Sequence, residues 1–295
     1  MPSLDEVDRI VTDAVIEEYW TRGYWVGPKL FSDDEVQRLR EAHDRLWSGK
    51  HDYPVPSMYG WVERDLSKPD LRQQVDAFYL NAEMRKAILS PLIGKIAARL
   101  MKTSSARLWH DQALFKEAGG KSTQAHQDHP YWPIAEDATI TAWIPLVEVD
   151  RETGCMGYVP GSHRDARQFV DIFAGDDSNG PQVEDQAVFV PARPGDVLFH
   201  HGRTMHMALP NQSGITRRAY TAIYFADGCT RSGERSHPSV DRTGIAIGAP
   251  IDGPATPIAW PLAGGGFPEP GPWPDTGDER FRRSAALGII PGVTA

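Results

Sequence analysis

From residue 105 onward the chain is built of short stretches rich in β-branched and aromatic residues, among them "ARLWHDQALFK", "ATITAWIPLVEV", "QAVFVPARPGDVLFHH" and "RRAYTAIYFA". Clusters of Gly, Pro, Asn and Asp separate them. Branched and aromatic side chains suit a half-buried pleated surface, and turn residues at this spacing reverse the chain before a helix can extend. The pattern predicts an all-β sandwich or barrel, with "RETGCMGYVPGSHR" as a loop between two strands and "PARPGD" as a tight turn into "VLFHH".

The flanks read differently. Residues 1–104 are mostly helical in pattern. In "FSDDEVQRLREAHDRLW", Ser32 and Glu35 form a capping box, and Val36, Leu39, His43, Leu46 and Trp47 recur at helical spacing. In "NAEMRKAILSPLIGKIAARLM", Asn81 is a cap, and Pro91 either begins a new helix after Ser90 or kinks the old one. Residues 228–295 are roughly a third Gly plus Pro, against ~12% in ordinary proteins. Aromatics in "IAWPLAGGGFPEPGPW" nevertheless predict an extension packed as ordered loop on the β core. There is no internal repeat, and a single domain, 1–295, is expected.

A chain of 295 residues that is 40% hydrophobic can bury a sizeable core. Its net charge of −9, without a run of Lys and Arg, argues against a nucleic-acid or membrane partner and for a small molecule. The two cysteines, Cys155 and Cys229, form no CxxC, so neither a thiolate metal site nor a disulfide framework is indicated, and a cytoplasmic location is expected. Oligomeric state is not legible.

Within the β region, "TQAHQDHPYWP" spans Thr123 to Pro133. On a strand, residues two apart project together, so His126 and Asp128 form a pincer while Gln127 points away. An imidazole and a carboxylate, joined by a histidine from a distant strand, make the facial triad that holds Fe(II) with positions open for O2 and a co-substrate. His163, His200, His201 and His206 are the candidates for that third ligand. His163 follows a turn, and His200 and His201 are adjacent, so only one of them can face a pocket. His206 precedes "MALPNQSGITRR". An inward arginine there could pair bidentately with the far carboxylate of a chelating α-keto acid.

"HDQALFKEAGGKSTQAHQDHPYWP", "TAWIPL", "GCMGYVPGSHR" and "RPGDVLFHHGRTMHMALPNQSGITRRAYTAIYF" together resemble the phytanoyl-CoA dioxygenase (PhyH) family of Fe(II)- and 2-oxoglutarate-dependent oxygenases. The likeness runs in the family's order from about Gly23, at "GYWVGPKLFSDDEVQRLR", to about Asp227. It implies a double-stranded β-helix, a cupin-like jelly roll with flanking helices, as the fold. It implies His126, Asp128 and His206 as iron ligands and Arg217, rather than Arg218, as partner of the 2-oxoglutarate carboxylate. Gln112, Thr141 and Trp143 are implied as neighbours of that co-substrate. Many members carry a serine two residues after the distal histidine, where this chain has Ala208, so either part of the co-substrate contact comes from elsewhere or binding is weaker.

The bland readings are a His–Asp pair in a polar turn, a solvated arginine pair at 217–218, a small buried Cys155 and, for Lys116, an exposed strand-end lysine in preference to a partner for a substrate or co-substrate carboxylate. Tyr131 and Trp132 are candidate substrate walls or simple packing. Asp128 argues against a halogenating relative, in which a small residue replaces the carboxylate. Arg217 argues against a non-catalytic metal- or ligand-binding jelly roll, and against a cupin-type metalloenzyme that uses no 2-oxoglutarate. The expected activity is C–H oxidation, hydroxylation by default, of a small natural product or metabolite, with release of succinate and CO2.

Overall fold

The computed structural model describes residues 2–53, 71–165, 182–233, 235, 237–241 and 243–262. Part of the expected C-terminal extension, residues 263–295, lies outside them. In chain order the elements are α1 (Leu4–Ile10), α2 (Asp13–Arg22), β1 (Tyr24–Lys29), α3 (Asp33–Trp47), β2 (Leu71–Val75), α4 (Ala82–Ile88), α5 (Pro91–Leu100), β3 (Ala106–Lys116) and β4 (Thr123–His126). There follow β5 (Thr139–Pro145), β6 (Met156–Tyr158), β7 (Val188–Val190), β8 (Asp196–His201), β9 (His206–Ala208), β10 (Arg217–Ala226), α6 (Pro238–Asp241) and β11 (Ile258–Trp260).

Local chemistry sets the helix ends. Ser32 and Glu35 exchange hydrogen bonds in a capping box at the start of α3. The Asn81 side chain accepts from the backbone N–H of Glu83 and Met84, and Pro91 opens α5 as a separate helix rather than kinking α4. The apolar stripe of α3 is buried through Val36, Leu39, Ala42, His43 and Leu46.

The strands form a jelly roll of two curled antiparallel sheets. The larger has the order β1-β8-β5-β10-β3-β11, with β2 also pairing β3; the smaller has the order β4-β9-β6-β7. Alternation along the strands of the larger sheet divides two cores. One face, including Ala113, Ile140, Ala142, Phe199, Tyr220 and Tyr224, packs with the helices. The other, including Leu114, Trp143, Leu198 and Ala219, meets Met156, Tyr158 and Ala208 of the smaller sheet. The space between the sheets is where the polar candidates gather.

A turn at Gly195 joins the N-terminal part to this frame. Its carbonyl accepts from the N–H of Leu30 at 2.8 Å and of Phe31 at 3.1 Å. Its φ of +90° is left-handed, and a Cβ there would press on the Phe31 carbonyl oxygen, so only glycine fits. Residues 228–262 return to the roll: β11 pairs β3, and Cys229, Val240 and Ile251 bury against Trp109, Ile223 and Phe225. No helix of the described residues is long and apolar enough to cross a membrane.

Candidate metal and co-substrate site

The smaller sheet and the loop after it carry the candidate ligands. His126 on β4 and His206 on β9 are directly paired across the ladder, so their side chains leave the same face. Asp128, just past the end of β4, completes a group whose ligand atoms all lie within 4.8 Å of one another. Asp128 Oδ1 is 3.6 Å from Nε2 of both His126 and His206. Two bonds of ~2.1 Å to one shared ion span up to roughly 4.2 Å, so a first-row metal can bridge Asp128 Oδ1 to either imidazole.

The protonation states suit a cation. His126 Nδ1 lies 2.8 Å from the Gln124 carbonyl and His206 Nδ1 3.0 Å from the Thr204 carbonyl, contacts that require the proton on Nδ1 and leave each Nε2 lone pair facing Asp128. Burial drives His206 down to about 3, against the pull of Asp128, so the ring is neutral near pH 7. Burial alone would raise the Asp128 carboxyl. The facing His206 and the hydrogen-bond contact with His200 outweigh it and hold the group well below the usual carboxylate range. Two imidazoles and one carboxylate form the donor set that fits Fe(II).

The larger sheet supplies cations. Arg217 is turned inward and 2% exposed, while Arg218 points out and pairs with Asp44 at 3.1 Å. Arg217 Nη1 donates to the Gly154 carbonyl at 2.7 Å, its Nε has no hydrogen-bond partner, and no carboxylate pairs with it among the described residues. Burial brings this guanidinium down to about 10. Its charge lies 5.7 Å from the centre of the Trp143 ring, and the buried Trp143 Nε1 is also unpartnered. Buried donors without acceptors are costly, and here two of them lie near each other on the side of the larger sheet that meets the smaller one, as an anionic ligand rich in oxygen would use.

Lys116, expected as an exposed strand-end residue, is instead fully buried. It lies in register with Arg217 on one side and with Leu71 on the other, so flanking strands turn a strand end into the interior of a sheet. Its Nζ donates to the Leu209 carbonyl at 3.0 Å and reaches Thr123 Oγ1 at 3.5 Å. Burial, with Arg217 adding to it, lowers this amine to about 6. Thr123 also stands directly opposite Ala208, bringing a hydroxyl next to the position where a serine was expected.

The remaining candidates fall around this centre. Thr141 and Trp143 share the inward face of β5, and the Thr141 hydroxyl donates to Asp128 Oδ2 at 2.9 Å. Of the adjacent pair, His200 faces the site, with Nε2 3.2 Å from Asp128 Oδ2, while His201 packs against Trp20. His163 lies 3.1 Å from the Trp20 carbonyl, away from the triad. His129 contacts Thr139 and Asp137. The Tyr131 ring centre is 6.4 Å from that of His126, and the buried Trp132 meets His110 edge-on at 5.9 Å. Gln112 lies 3.5 Å from His110, whose Nδ1 is 3.2 Å from His237 Nε2. Sequence reading missed this last pair because 127 positions separate its members. Lys116 carried a usable signal, since it stands an even number of residues from Gln112 on β3.

A family model described as phytanoyl-CoA dioxygenase (PhyH) matches residues 19–219. A probable alpha-ketoglutarate-dependent hypophosphite dioxygenase of Stutzerimonas stutzeri is 23% identical over 262 residues, 83% of this chain and 91% of that protein. The non-heme alpha ketoglutarate dependent carbocyclase SnoK from nogalamycin biosynthesis superposes with a TM-score of 0.68 at 30% identity, covering 84% of this chain and 96% of SnoK. The epimerase SnoN, solved with Fe3+, alpha ketoglutarate and nogalamycin RO, gives a TM-score of 0.67 at 27% identity, covering 87% of this chain and all of SnoN.

Proposed function

Because this chain belongs to the phytanoyl-CoA dioxygenase family and is an Fe(II)/2-oxoglutarate-dependent dioxygenase, we propose that it oxidises a C–H bond of a small natural product or metabolite. His126, Asp128 and His206 hold the iron, and Arg217 receives the far carboxylate of 2-oxoglutarate. The observation that carries this assignment is the buried Arg217, with its Nε unpartnered and no carboxylate paired to it. A metal-binding jelly roll without an oxoacid co-substrate has no use for such a cation.

When bound, iron supplies the activation of O2 coupled to decarboxylation of 2-oxoglutarate to succinate and CO2. The protein's part is positional. Arg217 and Lys116 together neutralise the incoming carboxylate, while Trp143 Nε1 offers a donor beside them. Thr123, facing Ala208, supplies a hydroxyl where serine is absent. The walls between the sheets exclude water, which strengthens each of these contacts. Tyr131 and Trp132, together with His110, line the approach for substrate.

A natural-product substrate is supported by the likeness to SnoK and SnoN, each covered over nearly its whole length. Those two proteins are a carbocyclase and an epimerase. Ring formation and epimerisation therefore stand beside hydroxylation as outcomes of the C–H step here. The test is to prepare the protein anaerobically with Fe(II), add 2-oxoglutarate and O2, and measure succinate. Iron-dependent succinate formation is expected, and its absence both alone and with a panel of polycyclic natural products would refute the proposal.

A further inference from the structure

The proposed iron site uses one oxygen of Asp128, and the other has a defined fate. Oδ2 accepts from Thr141 Oγ1 at 2.9 Å and lies 3.2 Å from His200 Nε2, whereas Oδ1 alone faces Nε2 of His126 and His206. Thr141 and His200 are directly opposite each other on β5 and β8, so they project from the sheet as a fixed pair. His200 is 1% exposed and lies between Tyr158, with ring centres 5.3 Å apart, and His206, at 4.4 Å. Its Nδ1 has no hydrogen-bond partner. Among the described residues its one polar contact is therefore Asp128 Oδ2. A phenylalanine would fill the same aromatic niche without leaving a buried ring nitrogen unsatisfied, so packing alone gives no reason for a histidine here.

A carboxylate with both oxygens free can close on a metal through two bonds. With Oδ2 saturated by two donors, Asp128 has one oxygen to give. Two histidines and one oxygen leave three positions of a six-coordinate ion open, enough for a chelating oxoacid and one further small ligand. A two-oxygen carboxylate would leave only the pair that the oxoacid occupies. We propose that His200, with Thr141, is a positioning residue that ties back Asp128 Oδ2, keeps the carboxylate a single-oxygen ligand and so preserves the coordination position for O2. This rests on the iron and 2-oxoglutarate reading of the site.

The test uses nitric oxide as a probe of that position, followed by electron paramagnetic resonance on the anaerobic protein loaded with Fe(II) and 2-oxoglutarate. Fe(II) and 2-oxoglutarate affinities are measured separately by calorimetry. Loss of one charge-assisted hydrogen bond corresponds to about tenfold or more. His200→Phe should therefore bind nitric oxide at least about tenfold more weakly while retaining Fe(II) and 2-oxoglutarate, and His200→Gln, which can still donate, should restore it. Unchanged nitric oxide affinity in His200→Phe overturns the proposal. If that variant takes up no Fe(II), Thr141→Val decides: weakened nitric oxide binding upholds the proposal and unchanged binding overturns it. Failure of the wild-type protein to bind Fe(II) or 2-oxoglutarate would instead strike the underlying assignment of the site.

Discussion

Two buried basic side chains dominate the residue-level behaviour of this site. Arg217 has a carbonyl and an indole ring for neighbours and no counter-charge among the described residues, and Lys116 lies in register beside it. Replacing Arg217 with Ala removes a charge-assisted contact of about 2 to 3 kcal/mol and should raise the 2-oxoglutarate dissociation constant ~30- to 150-fold. Calorimetry on the Fe(II) protein measures this directly. Lys116 adds a pH signature. Burial and the nearby Arg217 bring it to about 6 in the free protein, so near neutral pH it is largely uncharged. A carboxylate placed beside it raises that value. Binding then takes up a proton at any pH between the free and the raised value. Below about 6 the affinity is independent of pH, and above it the affinity weakens as pH rises. Titrations at about pH 7.5 in buffers of different ionisation enthalpy should show this uptake, and Lys116→Met should abolish it.

At the scale of elements, period-two alternation made much of the site legible. It placed Thr141 beside Trp143 and allowed only one of His200 and His201 to face inward, as the structure shows. Asp128 reaches the His126 side by another route: β4 ends at His126, Asp128 follows in helical backbone, and Gln127, expected to point away, is buried with its amide on the Arg203 carbonyl. Cap chemistry located the starts of α3 and α4. What alternation could not supply is which strands cover which. Lys116 reads as a strand end from β3 alone and becomes interior because β2 and β10 both extend to it. The contact between His110 and His237 depends on where residues 237–241 return to the roll, which local pattern does not encode. Gly195 is an element-scale device that sequence marked only as part of a turn. A Gly195→Ala change imposes a left-handed alanine, about 1 to 2 kcal/mol, plus pressure on the Phe31 carbonyl. It should lower the melting temperature by several degrees in a thermal unfolding scan.

For the whole molecule, the proposed function divides its site between the two sheets. The smaller sheet and its following loop bring His126, Asp128 and His206, and the larger brings Arg217, Lys116, Trp143 and the Thr141–His200 pair. On the proposed assignment, metal and co-substrate meet across the interior between the sheets. The most direct measurement is a calorimetric titration of 2-oxoglutarate into the anaerobic protein with and without Fe(II), repeated with His206→Ala. The expected result is tight binding that requires Fe(II) in the wild type and is lost in the variant. Equal 2-oxoglutarate affinity with and without Fe(II), or affinity untouched by His206→Ala, would contradict the account.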